Sequence, residues 1–166
     1  MTKRGGFTMV ELLVVTGIMV ILVGGAMVAV ARFNAGQKVK AAKEQLISNL
    51  KLARNYAKGM QTPRGIGGNL KYVTVSVAAN TTVTITGVTD TDRGDFLTKK
   101  INEGSEVSFS PIIGPDVLAF AAYENKLVDS SGNPLGVGMS IVVISAESSG
   151  TTEIVNISAS GLINEK

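Results

Sequence analysis

From Leu12 to Ala31, twenty residues pass without a charged side chain. At 1.5 Å rise per residue that run makes about 30 Å of helix, the thickness of a bilayer core. It predicts a membrane helix near the N-terminus, and in a chain of 166 residues it leaves room for one further domain. Lys3 and Arg4 precede the run and favour a cytoplasmic N-terminus, although Arg32, Lys38 and Lys40 on the far side weaken that bias. Glu11 stands at the edge of the apolar stretch. A carboxylate costs roughly 2.5 to 3.5 kcal/mol at the centre of a membrane span and less toward its end, so this one calls for a partner.

Beyond Asn34-Ala-Gly36 the pattern turns amphipathic. Val39, Ala42, Leu46, Leu50, Ala53, Ala57 and Met60 recur every three or four residues between charged positions. No proline occurs before Pro63, and the single Gly36 costs only about 1 kcal/mol, so one long helix is expected from about Phe7 to about Met60. The Pro- and Gly-rich stretch 61–68 ends it. Thr- and Val-rich runs then predict strands at 70–78, 81–88, 106–113, 117–123, 138–147 and 151–160, the last two as a hairpin. Their alternation leaves an apolar face that the helix stripe can cover. The expected fold class is α+β, a long N-terminal helix packed on an antiparallel β-sheet head.

Composition narrows the chemistry. The chain has no histidine and no cysteine, which removes the usual general base, the thiolate nucleophile and the commonest zinc ligands. An enzyme is disfavoured, and no cofactor is expected. From Arg32 to Lys71 nine Lys or Arg face one Glu, whereas from Tyr72 onward five basic residues face eleven acidic ones. The chain thus has a basic stem and an acidic head. The basic face at Lys40, Lys43, Lys51, Arg54 and Lys58 lacks a set of stacking aromatics and reads as a solvated helix face rather than a nucleic-acid site. Asp90, Asp92, Asp95 and Glu103 lack the glycine and terminal glutamate of a calcium loop and read as a polar loop, with no metal expected.

The string RGGFTMVELLVVTGIMVIL resembles the N-terminus of type IV prepilins and pseudopilins: a short basic leader ending in glycine, a phenylalanine, a glutamate four residues on, and an apolar span. The resemblance implies cleavage by a membrane prepilin peptidase between Gly6 and Phe7 and N-methylation of the new Phe7 amine. It casts Glu11 as the assembly residue, one helical turn from that amine and able to meet the amine of a neighbouring subunit. The implied organisation is a leader at 1–6, a transmembrane half-helix at 7–31, an amphipathic half-helix at 32–62 and a β-rich globular head at 63–166. Further partners would be other pilin subunits and an inner-membrane assembly platform. The protein would reside in the cytoplasmic membrane, single-pass with its head outside the cytoplasm, and then in a filament in the periplasm or at the cell surface. The C-terminal arrangement, from VDSSGNP to ISASGLI, is similar to the H-type minor pseudopilins of type II secretion and to FimT-like minor pilins. The cysteine pair of many major pilins is absent, and Gly24 and Gly25 occupy the middle of the span.

Those two glycines cost roughly 2 kcal/mol of helix propensity and mark a place where the helix could melt on entering a filament. Ala29-Val-Ala31 resembles an ordinary signal-peptidase site, but the apolar run exceeds the usual 7 to 15 residues. The expected function is a structural subunit, a minor pilin or pseudopilin. Secretion, motility and uptake filaments share this N-terminus, so a major pilin and a DNA-binding minor pilin of an uptake pilus stay open as alternatives. The basic stem permits DNA binding without favouring it.

Overall fold

A computed structural model describes residues 7–78, 82–101, 107–113, 117–124, 126–129, 131–145 and 152–164. Helix α1 runs Met9–Lys58 without a break, taking Gly24, Gly25 and Gly36 into its backbone. The chain divides into two compact units, Met1–Asn34 and Ala35–Lys166.

In the first unit the helix is apolar on all sides, with a mean hydropathy of 2.6 over its most apolar stretch and none of that stretch buried. By length and composition it is able to cross a membrane.

The second unit begins where α1 becomes one-sided. Ala35, Val39, Ala42, Leu46, Ile47, Leu50, Ala53 and Ala57 are buried, a stripe at the spacing of three and four that keeps one helix face on a core. Met60 departs from the expected stripe. The helix closes with Gln61 N–H donating to Tyr56 O at 3.1 Å and Met60 N–H to Ala57 O at 3.2 Å, which puts Met60 in the left-handed region at φ 51° and leaves it 40% exposed. This paired closure of the last turn normally places glycine at the left-handed position. Here glycine comes one residue early, at Gly59.

Nine strands follow among the described residues: β1 Leu70–Val77, β2 Thr82–Thr89, β3 Arg93–Lys100, β4 Val107–Ile113, β5 Val117–Ala121, β6 Leu127–Val128, β7 Met139–Ser145, β8 Thr152–Ile157 and β9 Ile163–Asn164. All pair antiparallel, as expected for the head, in two sheets ordered β3-β2-β1-β5-β6 and β4-β7-β8-β9. The helix stripe covers both. Val73, Val75, Ile85, Leu118, Phe120 and Leu127 of the first sheet join Ile141, Val143, Val155 and Ile157 of the second in one apolar cluster around Leu46 and Leu50.

Strand β3 corrects the reading of that region as a loop. RGDFLTKK is charged because it is an edge strand, and Arg93, Lys99 and Lys100 guard its outer side. The segment between α1 and β1 is tied to the β2–β3 turn: the hydroxyls of Thr89 and Thr91 both donate to Gly67 O at 3.0 Å, and Asn69 N–H donates to Asp90 Oδ1 at 2.9 Å.

Candidate functional site

The N-terminal segment sets its own helix start. Thr8 lies just outside α1, and its hydroxyl accepts the N–H of Glu11 at 3.3 Å, while Glu11 Oε2 accepts from both the Thr8 N–H and the Thr8 hydroxyl at 3.4 Å. Thr8-Met-Val-Glu11 is a reciprocal capping box, in which side chains satisfy main-chain donors that the first turn leaves over. Phe7, one position before the cap, and Leu12, four after it, occupy the two places at which apolar residues commonly pack across such a cap. Glu11 also stands in the first turn, where the helix dipole favours negative charge. The sequence reading missed Thr8. Its signal was the T-x-x-E spacing immediately before an apolar run.

This geometry brings Phe7, Thr8 and Glu11 together. The Glu11 carboxylate sits against the N–H one residue from the Phe7 nitrogen, while the Phe7 side chain is 84% exposed. Gly6 lies outside the described residues. Gly24 and Gly25 are 13 and 14 residues further on, about 20 Å along the axis, in unbroken helix. A Cβ at either would meet nothing within 4 Å, so no contact inside the chain requires glycine there.

Around the carboxylate the surface is apolar. Val10, Leu12, Leu13, Val14 and Val15 are exposed, as are the large apolar side chains onward to Phe33. The Thr16 hydroxyl is satisfied internally, donating to Leu12 O and Leu13 O at 3.0 Å. Further along, Val23, Ala26, Met27, Val30, Ala31 and Asn34 line a shallow notch. Small residues at such spacing let a second helix approach closely.

The remaining candidates lie in the second unit. Of the basic face, Lys43 leaves solvent to meet Glu153 Oε2 of β8 at 2.7 Å, with side chains 13% and 37% exposed, and Arg54 is half-buried. Asp90 and Asp92 cap main-chain N–H groups of Asn69 and Arg93, and Asp95 Oδ1 accepts the Thr86 hydroxyl at 2.6 Å from its place on β3. Glu103 lies outside the described residues, and among those described no group of three or more ligating side chains could hold a metal ion.

Comparison with known proteins follows the same two parts. Residues 1–27 match the family model described as the prokaryotic N-terminal methylation motif. No curated protein matches the chain in sequence. Two crystal forms of the type IV minor pilin FimU from Pseudomonas aeruginosa share its fold. The P21 form aligns with a TM-score of 0.59 at 14% identity, covering 78% of this chain and 89% of FimU. The P65 form gives 0.55 at 14% identity, covering 76% and 91%. At that identity the likeness speaks for the fold, and the motif speaks for the N-terminus. One chain thus joins a prepilin-type N-terminal methylation motif to a fold similar to that of a type IV minor pilin.

Proposed function

We propose that this type IV minor pilin-like structural subunit is held in the cytoplasmic membrane by the first half of α1, cut between Gly6 and Phe7, methylated on the Phe7 nitrogen, and drawn into a filament through that same helix. The observation that carries the reading is the Glu11 carboxylate, exposed at the start of the apolar stretch of α1 that forms the first unit. Lipid or other chains must cover so large an apolar surface. In the bilayer Glu11 lies about 6 Å along the helix from Phe7, near the interface, where it stays hydrated at moderate cost. When helices pack together water leaves, and the carboxylate and an incoming Phe7 amine are each stranded unless they meet. Stranding one partner of a buried pair costs roughly 3 to 5 kcal/mol, enough to select one docking register.

The prepilin peptidase acts as the processing partner, and other pilin subunits and an inner-membrane platform act in assembly. The match to a minor pilin fold supports a pilus over a secretion filament, and Gly24-Gly25 offers the helix a place to melt during transfer. Mass analysis of the mature N-terminus tests the processing step: methylated Phe7 is expected, and a chain beginning at Arg32 would show ordinary signal-peptide removal instead. Glu11→Leu tests the docking step. That variant is expected to insert, be cut and fold its head, yet stay out of filaments, and assembly at wild-type level would overturn the role given to Glu11.

A further inference from the structure

On the basic flank of α1 one cation is left without a partner. Lys43 is held by Glu153, Lys51 is engaged as well, and Lys58 stands exposed in the last turn, where the helix dipole favours positive charge. Arg54 is half-buried, and among the described residues its Nε is the one buried side-chain nitrogen or oxygen that finds no hydrogen-bond partner. Buried donors are nearly always paired, because an unpaired one has given up its hydration for nothing.

The local sequence explains the vacancy. On a helix a side chain meets those three and four positions away, and for Arg54 these are Leu50, Lys51, Ala57 and Lys58. Leu50 and Ala57 are buried and apolar, while Lys51 and Lys58 repeat its charge. No Asp or Glu occurs from Gln45 to Thr89, so Lys51, Arg54, Lys58, Arg64 and Lys71 share that stretch without one carboxylate. Glu44 lies about 15 Å back along the axis. A lysine at this position would keep its charge out in water on a flexible stem. A guanidinium instead suits a carboxylate, which it binds through two parallel N–H bonds.

We propose that Arg54 is a docking point for a carboxylate side chain on the head of a neighbouring subunit, with Lys58 one turn on as its second charge. In the free chain the Nε has no partner. When an acidic side chain arrives, the guanidinium turns to it and gains the bonds that its own chain does not supply. The region from Tyr72 onward, with eleven acidic residues against five basic ones, offers the complement on a subunit of the same kind. That the carboxylate belongs to a subunit rests on the filament reading; the unpartnered Nε does not.

The test begins with thermal unfolding of the full chain in detergent micelles. Arg54→Met keeps an apolar stem and removes the unpaired donor with its charge, so its melting temperature is expected to equal that of wild type or to exceed it by up to about 3 °C. A fall of more than about 3 °C would overturn the proposal, since the guanidinium would then be satisfied inside its own chain. The same variant is expected to enter filaments at least about ten-fold less than wild type, with Arg54→Lys, which keeps the charge and loses the fork, between the two. Entry of Arg54→Met at wild-type level would overturn the docking role. A zero-length carbodiimide cross-linker applied to wild-type filaments, mixed from two isotope labels, is expected to join the Lys58 amine to an Asp or Glu of another subunit. Linkage of Lys58 only to acids of its own chain, or loss of the link on adding a single-stranded DNA oligonucleotide, would overturn the carboxylate partner. In a Glu11→Leu background, which forms no filaments, Arg54→Met should shift melting as it does alone, so failure of the acceptor is separated from failure of the filament reading.

Discussion

The rings of Tyr56 and Phe96 stack with centroids 4.3 Å apart and planes inclined by 14°, joining the last turn of α1 to edge strand β3. Two close approaches surround this contact. A Cβ at Gly87 would fall 2.8 Å from the Phe96 ring and 2.9 Å from Pro63. Gly87→Val is accordingly expected to lose about 1 to 3 kcal/mol of stability, because neither the ring nor the proline can yield without parting helix and strand. Thermal unfolding of the full chain in micelles checks this, and a change under about 0.5 kcal/mol would show the contact to be loose.

Met60 offers the opposite result. Its left-handed backbone at φ 51° is unfavourable for a side chain, and its side chain buries little. Met60→Gly is expected to raise stability by about 1 kcal/mol. A lower melting temperature would mean that the Met60 side chain contributes more packing than its exposure indicates.

A fragment beginning near Phe33 is expected to be soluble and folded, since the buried stripe of α1 lies at Ala35 and beyond. Within it, Leu46→Asp or Leu50→Asp should unfold the head, because each wild-type side chain is fully buried and an unpaired carboxylate there costs several kcal/mol. Circular dichroism reads the outcome. Unchanged melting would place the stripe against other subunits instead of the sheets.

Asp129 gives a pH-dependent signal. Its carboxylate accepts the Asn133 main-chain N–H at 2.9 Å, the Asn133 side-chain amide at 3.1 Å and the Ser131 N–H at 2.8 Å. These bonds, Asn133 first, hold its pKa below the ordinary carboxylate value against an opposing effect of desolvation. Because the folded value is depressed, the stabilisation is present above the unfolded value, near 3.9, and is lost as pH falls through the folded one. Protection of the Asn133 amide, taken relative to its intrinsic exchange rate, should fall in wild type as pH drops below the ordinary carboxylate value. Asp129→Ala should show that reduced protection at every pH, and a wild-type profile in the variant would remove the carboxylate from the account.

Thr8→Ala separates the two roles of Glu11. Loss of the cap should fray the start of α1 at a cost of about 0.5 to 2 kcal/mol. If docking is what matters in assembly, filaments still form, whereas Glu11→Leu stops them. Equal defects in the two variants would assign Glu11 to capping alone.

What could be read from the sequence followed physical distinctness. The helix was legible to within about two residues because no proline enters it, and its buried face because Val39 through Ala57 repeat at helical spacing. Strands with β-branched alternation, such as β1 and β2, were legible for the same reason. Strand β3 was not, since the charges that protect an edge imitate those of a loop. Strands β6 and β9 have two residues each, too few to set a period. The division into two sheets leaves no mark in alternation, which reports a face and not a partner strand. At the N-terminus, Glu11 was conspicuous as a charge beside an apolar run, while its bonds to Thr8 were hidden because the Phe7 amine, one helical turn away, already offered a charged partner.

The cap at Thr8 also acts as a stop. A peptidase needs to thread an unwound stretch of main chain through its cleft, and a helix that grew backward by two residues would carry the Gly6–Phe7 bond out of reach. By fixing the first turn at Met9, the Thr8–Glu11 bonds keep Phe7, on the carboxyl side of the proposed scissile bond, outside the helix. The glutamate proposed for assembly would then have an earlier duty, holding the precursor in a form that can be cut, so that maturation and docking would depend on one side chain in turn.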